Sequence, residues 1–88
     1  MAAHELDPVL TPLERADGSG RILTLEAYLD LGCDAQRTAA LLHLHRTTVY
    51  YRLGRIAEIL GVDLGDGLVR SHLHLALKDR SLAVRPRL

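Results

Sequence analysis

The chain has 88 residues, enough for one small domain that buries only about 60–65% of its extended surface on folding. Its 11 basic and 11 acidic residues cancel to a formal net charge of zero, which excludes a uniformly basic nucleic-acid-coating protein. No apolar run approaches the ~18 residues of a membrane span, the start lacks a basic-then-apolar leader, and the lone Cys33 excludes an internal disulfide and fits a reducing cytoplasm.

The charge is unevenly distributed. Residues 1–34 carry seven acids (Glu5, Asp7, Glu14, Asp17, Glu26, Asp30, Asp34) against Arg15 and Arg21. Residues 35–57 carry Arg37, Arg46, Arg52 and Arg55 and no acid at all. With no Phe or Trp, the core has to be built from 19 leucines together with Ala, Ile and Val. That composition predicts an all-α fold, a small bundle of four to five helices over a single domain 1–88, its core spanning about 10–78.

In chain order, Thr11-Pro-Leu-Glu14 has the spacing of a capping box, with Pro12 at the first helical position. The short helix it opens is expected to end near Asp17-Gly-Ser-Gly20. The second helix runs from Arg21 to Leu31, with Ile22, Leu25 and Tyr28 or Leu29 at helical spacing and Gly32 as its stop. Asp34 is placed to cap a third helix through Leu42, His43-Leu44-His45 forms a turn, and a fourth helix runs from about Arg46 to Leu60 before Gly61. After the loop 62–67, Leu68 to Lys78 reads as a last amphipathic helix. The tail 81–88 has no clear period and is expected to fray.

The segment 34–60 is the informative one. A helix-turn-helix needs a small residue where two helices cross, an apolar residue after the turn and apolar residues buried from the second helix; Ala39, Leu44, Val49 and Leu53 meet these needs in order. At about 100° per residue, Val49, Leu53, Ile56 and Leu60 share one stripe of the second helix. Thr47, Tyr51, Gly54, Arg55 and Glu58 lie opposite, flanked by Thr48 and Tyr50. Residues near the start of such a helix reach base edges most readily, so Arg46, Thr47, Thr48, Tyr50 and Tyr51 are the candidate base readers. Arg37, Arg52 and Arg55 are better placed for phosphates. His45 either caps the helix or touches a phosphate. Tyr50 borders the apolar stripe and fits core and surface equally, whereas Tyr51 points to DNA or to another element covering that face.

These residues carry a resemblance. Leu23-Thr-Leu-Glu-Ala-Tyr-Leu29, Thr38-Ala-Ala-Leu-Leu42, His45-Arg-Thr-Thr-Val-Tyr-Tyr-Arg-Leu53 with Arg55-Ile56, Gly61-Val-Asp-Leu64 and Leu75-Ala-Leu77 together resemble the C-terminal DNA-binding domain of PucR-like regulators. That group includes the CdaR-type carbohydrate-diacid activators, and the helix pair is similar to the Fis type. The resemblance covers roughly residues 10–78 in order and spacing. It implies a bacterial transcription regulator, with imported contact roles on Arg46, Thr48, Tyr51 and Arg52. Two positions depart from the pattern: Thr47 stands where Asn is usual, replacing a bidentate adenine reader by one hydroxyl and a methyl, and Gly54 stands where relatives are often basic. Such regulators carry upstream sensing domains; none is present in this chain, which is expected to be an output domain excised or truncated from a longer protein.

Other readings are weaker. His43/His45 and His72/His74 are two apart, a spacing that does not converge on a metal within a helix, so no metal or cofactor is expected. Cys33 reads as a small filler at a helix junction. No phosphate loop, glycine-rich oxyanion loop or paired carboxylates suggest an enzyme. The rival is a helical protein-interaction or dimerisation module using the apolar residues of 68–77. It is compatible with DNA binding, because helix-turn-helix proteins often work as two-fold dimers. The partners expected are therefore double-stranded DNA and a second copy, in the cytoplasm and away from membranes. Salt separates the readings, since DNA affinity falls with salt and an apolar interface barely responds.

Overall fold

The computed structural model describes residues 8–16 and 20–84. A 3-10 turn over Pro8–Leu10 leads directly into α1 (Thr11–Ala16), followed by α2 (Arg21–Asp30), α3 (Ala35–Leu42), α4 (Arg46–Leu60) and α5 (Gly67–Val84); no strand occurs among the described residues. The all-α bundle expected from composition is the one observed.

α2 is the central element. It packs against α1, α3, α4 and α5, while α4 lies across α1, α2 and α3, and α5 lies against α2 and the 3-10 turn. Leu10, Leu13, Ile22, Leu25, Leu29, Val49, Leu53, Ile56, Leu73 and Leu77 meet in one core, and Ala35, Ala39 and Ala76 let backbones approach closely. Two buried threonines inside it are satisfied locally: the Thr24 hydroxyl donates to Gly20 O at 3.0 Å and that of Thr38 to Asp34 O at 2.8 Å.

The helix ends follow from chain chemistry. Gly32 and Cys33 both take left-handed φ, +73° and +64°, and this pair turns the chain from α2 into α3 while Cys33 N–H donates to Tyr28 O at 2.8 Å. Asp34 caps α3 as expected, its carboxylate accepting from Arg37 N–H at 3.0 Å. Gly61, at φ +66°, closes α4 through bonds from Gly61 N–H to Glu58 O and Val62 N–H to Ala57 O. Asp66 starts α5 by accepting from Leu68 and Val69 N–H. The guanidinium of Arg70 pins the loop before it, donating to Gly65 O at 2.9 Å and to the half-buried Cys33 Sγ at 3.3 Å.

Two expectations are corrected. Thr11 is not an N-cap: helical structure begins three residues earlier, because Leu10 and Leu13 are both fully buried and draw the preceding turn onto α5. Glu14 does not serve there as the partner of a cap but accepts from Arg80 Nε at 3.0 Å. The last helix does not stop at Lys78. It continues to Val84, held by that Arg80–Glu14 pair and by a bond from Ser81 Oγ to Glu26. Residues 17–19, where α1 was expected to end, and 85–88 of the tail lie outside the described residues.

Candidate nucleic-acid interface

α3 and α4 are joined by the three-residue turn His43–Leu44–His45. His43 adopts a left-handed φ of +56°, and its N–H and that of Leu44 donate back to Ala40 and Ala39, ending α3 abruptly. Leu44 is thereby turned toward the core. His45 Nδ1 accepts from Thr47 N–H at 3.1 Å and caps α4. With Nδ1 as acceptor, the neutral ring carries its proton on Nε2, which keeps a donor for a further contact.

Helix α4 then divides by face. Val49, Leu53 and Ile56 are buried, and Leu60 packs half-buried against the same core. Arg46, Thr47, Tyr50, Tyr51 and Gly54 are exposed, and Thr48 is half-buried at the border. Tyr50 is 58% and Tyr51 68% exposed, so neither tyrosine belongs to the core, and among the described residues no element covers that face. A Cβ placed on Gly54 would meet nothing within 4 Å, so packing does not require glycine there. Arg37 is exposed in the first turn of α3. Beside it stands the exposed amide of Gln36, which charge-based reading passes over because it carries none.

The arginines expected at phosphates fall into different surroundings. Arg52 is half-buried, and its Nη1 donates to Thr24 Oγ1 at 3.0 Å, fastening α4 to α2. Arg55 donates to Glu58 at 2.7 Å in a solvent-facing pair. Such a pair adds little stability, but it neutralises the one acid on this face. Positive charge at the N-terminal end of α4 comes from Arg46 together with the helix dipole, and Arg37 is exposed in the first turn of α3. The expected site residues thus separate into exposed Arg37, His45, Arg46, Thr47, Tyr50 and Tyr51, border Thr48, ion-paired Arg55, and Arg52, which is bonded to α2.

With this geometry in view, comparison with known proteins is decisive. Residues 22–78 match the PucR C-terminal helix-turn-helix domain. The chain belongs to this family. It is 42% identical over 59 residues to the purine catabolism regulatory protein of Bacillus subtilis (strain 168), covering 67% of this chain and 11% of that protein. It is 38% identical over 77 residues to the carbohydrate diacid regulator of Escherichia coli (strain K12), covering 86% and 20%. It is 39% identical over 54 residues to the proline-responsive transcriptional activator PutR of Bacillus subtilis, covering 61% and 13%. The chain thus spans a fifth or less of the length of these three relatives. No solved structure matches it. Among the described residues, no helix is long and apolar enough to cross a membrane.

Proposed function

We infer that this PucR-family domain is the DNA-binding output module of a bacterial transcription regulator, acting by binding rather than by catalysis. It lays the N-terminal half of α4 in the major groove of double-stranded DNA. The observation that carries this reading is the exposed run Arg46, Thr47, Tyr50 and Tyr51, backed by buried Val49, Leu53 and Ile56 and set in a 23-residue stretch free of acids.

Each side chain then has a role. Arg46, with its fork of donors, suits guanine O6 and N7. Thr47 brings a hydroxyl and a methyl, the latter suited to thymine. Thr48, Tyr50 and Tyr51 approach neighbouring bases or the sugar edge. Arg37 and the Nε2 proton of His45 meet phosphates on either side of the groove. Arg55 joins them by leaving Glu58, whereas Arg52 acts mainly by holding α4 on α2.

The three relatives are named for purine catabolism, carbohydrate diacids and a response to proline, yet each is similar to this chain. A segment common to such different signals is suited to contacting DNA, while effector recognition resides in other parts of the longer regulators. The proposed setting is the cytoplasm, with two copies reading two half-sites about one helical turn apart.

Fluorescence anisotropy of a mixed-sequence duplex across a salt series tests the reading. With the two phosphates met by Arg37 and Arg55 neutralised, the affinity falls with a log–log slope of about −2 per bound chain. A folded domain that binds no duplex at low salt, or binds without salt dependence, contradicts it.

A further inference from the structure

We propose that the outer face of α5 is a two-fold contact with a second copy of this chain, with the helices antiparallel and Leu75 on the axis. The proposal rests on the reading of the domain as one that works in pairs, and it specifies the surface.

Three leucines on α5 face solvent: Leu68, Leu75 and Leu82, at 83%, 72% and 65% exposure. They recur every seven residues, a period that drifts only ~20° per repeat around a straight helix. They therefore form one stripe about 21 Å long, distinct from the stripe of Leu73, Ala76 and Leu77 buried against the rest of the domain. Among the described residues nothing apolar covers this second stripe, although leucine elsewhere in α5 is fully buried.

The surroundings of the stripe fit another helix. Leu75 stands between two shallow hollows, one of about 360 Å³ reaching Asp79 and Leu82 and one of about 530 Å³ reaching Ser71, His74 and Asp30. A knob flanked by holes is the repeating unit of helix–helix packing. Charges at its edge are already matched within the chain: Lys78 Nζ donates to Glu26 at 3.1 Å and to Asp30 at 3.0 Å, and His74 Nε2 lies 2.7 Å from Asp30. Burial pushes the Asp30 carboxyl up, but the bonds from His74 and Lys78 outweigh it and hold it below its ordinary value. A partner helix therefore meets leucines bordered on the α2 side by these paired charges, with exposed Asp79 on the other side.

Self-complementarity selects the orientation. About a two-fold axis through Leu75, residue i of an antiparallel helix faces a residue near 150 minus i on the other copy. Leu68 then meets Leu82, and Asp79 faces Ser71 beside His72. A parallel pairing would also match leucines, but it would set the exposed Asp79 against Asp79, and like charges directly opposed disfavour it. The leucine stripe of α5 and the exposed run of α4 share no residue, so this contact uses none of the DNA-facing side chains. A contact along one helix is small beside the ~1,200 Å² of standard interfaces, so the dimer is expected to be weak, with a dissociation constant of micromolar order.

Sedimentation velocity of the 88-residue chain without DNA, from low to high micromolar concentration, reads the assembly directly. The expected result is a shift toward the dimer with concentration, lost in a Leu75→Glu variant whose helicity by circular dichroism is unchanged. In a Cys33→Ser background, oxidation cross-links Leu75→Cys to itself and Leu68→Cys to Leu82→Cys, but not Leu68→Cys to itself. A monomer at every concentration overturns the proposal and assigns the stripe to another part of the longer regulator. Undiminished dimerisation of Leu75→Glu, or ready self-cross-linking of Leu68→Cys, overturns the surface or its orientation. A monomeric Leu75→Glu chain that still binds duplex at low salt separates failure of pairing from failure of the DNA reading.

Discussion

A chain carrying both Arg37→Ala and Arg46→Ala binds a mixed-sequence duplex about 100-fold more weakly than the unaltered chain at low salt, with its salt slope reduced by about 1 through the lost phosphate contact of Arg37. The estimate follows from two charge-assisted contacts worth roughly 1–3 kcal/mol each. Both side chains are exposed, so their removal should leave the fold intact. The single variants separate their roles. Arg37→Ala weakens binding to all sequences alike, as a phosphate contact should. Arg46→Ala also narrows the difference between preferred and non-preferred sequences, as loss of a base reader should. Arg52→Ala belongs to a different class, because it removes the donor to Thr24 between α4 and α2 and so lowers stability together with affinity. Unchanged affinity in the folded double variant would mean that another face meets the nucleic acid.

The second large effect concerns the core. Leu25 is fully buried at the centre of α2, where the other helices converge. Leu25→Ala is expected to cost about 2–5 kcal/mol, a large share of the roughly 5–15 kcal/mol available to a small domain. The melting temperature followed by circular dichroism should drop by more than about 10 °C. Leu23, two residues away and exposed, is the internal control: Leu23→Ala should change stability by no more than about 0.5 kcal/mol. Equal losses from the two substitutions would contradict the placement of α2.

The helix pair was legible in the sequence because everything that forms it is local. Asp34 caps a helix whose first N–H groups lie three residues on, Gly61 supplies the left-handed stop, and Val49, Leu53 and Ile56 repeat with the helical period. A lone leucine between the two histidines of the turn was enough to place Leu44 toward the core. What escaped was held by distant partners. The link from Arg52 to Thr24 spans 28 residues, and nothing near Arg52 distinguishes it from an arginine waiting for phosphate. The last turns of α5 depend on Glu14 and Glu26, which lie 66 and 55 residues from Arg80 and Ser81. Local periodicity therefore suggested a frayed end where tertiary ion pairing keeps a helix. The same limit applied to Leu68 and Leu75: both were visible as apolar positions in α5, but only the fold shows that Leu73 and Leu77 face inward while Leu68 and Leu75 face out. Tyr50 is a further instance, since a border position on a helical wheel becomes surface or core according to what packs beside it, and α2 and α3 leave it exposed.

The central claim is that the N-terminal half of α4 is the surface that enters DNA. The most direct test is titration of the nitrogen-15-labelled domain with a short duplex, following backbone amide shifts residue by residue. The account predicts the largest changes at Arg37 and from His45 to Tyr51, with Leu73, Leu77 and their neighbours on the inner face of α5 unmoved. Changes centred on α5 instead, or spread evenly over the domain with none concentrated at Arg46 and Thr47, would contradict it.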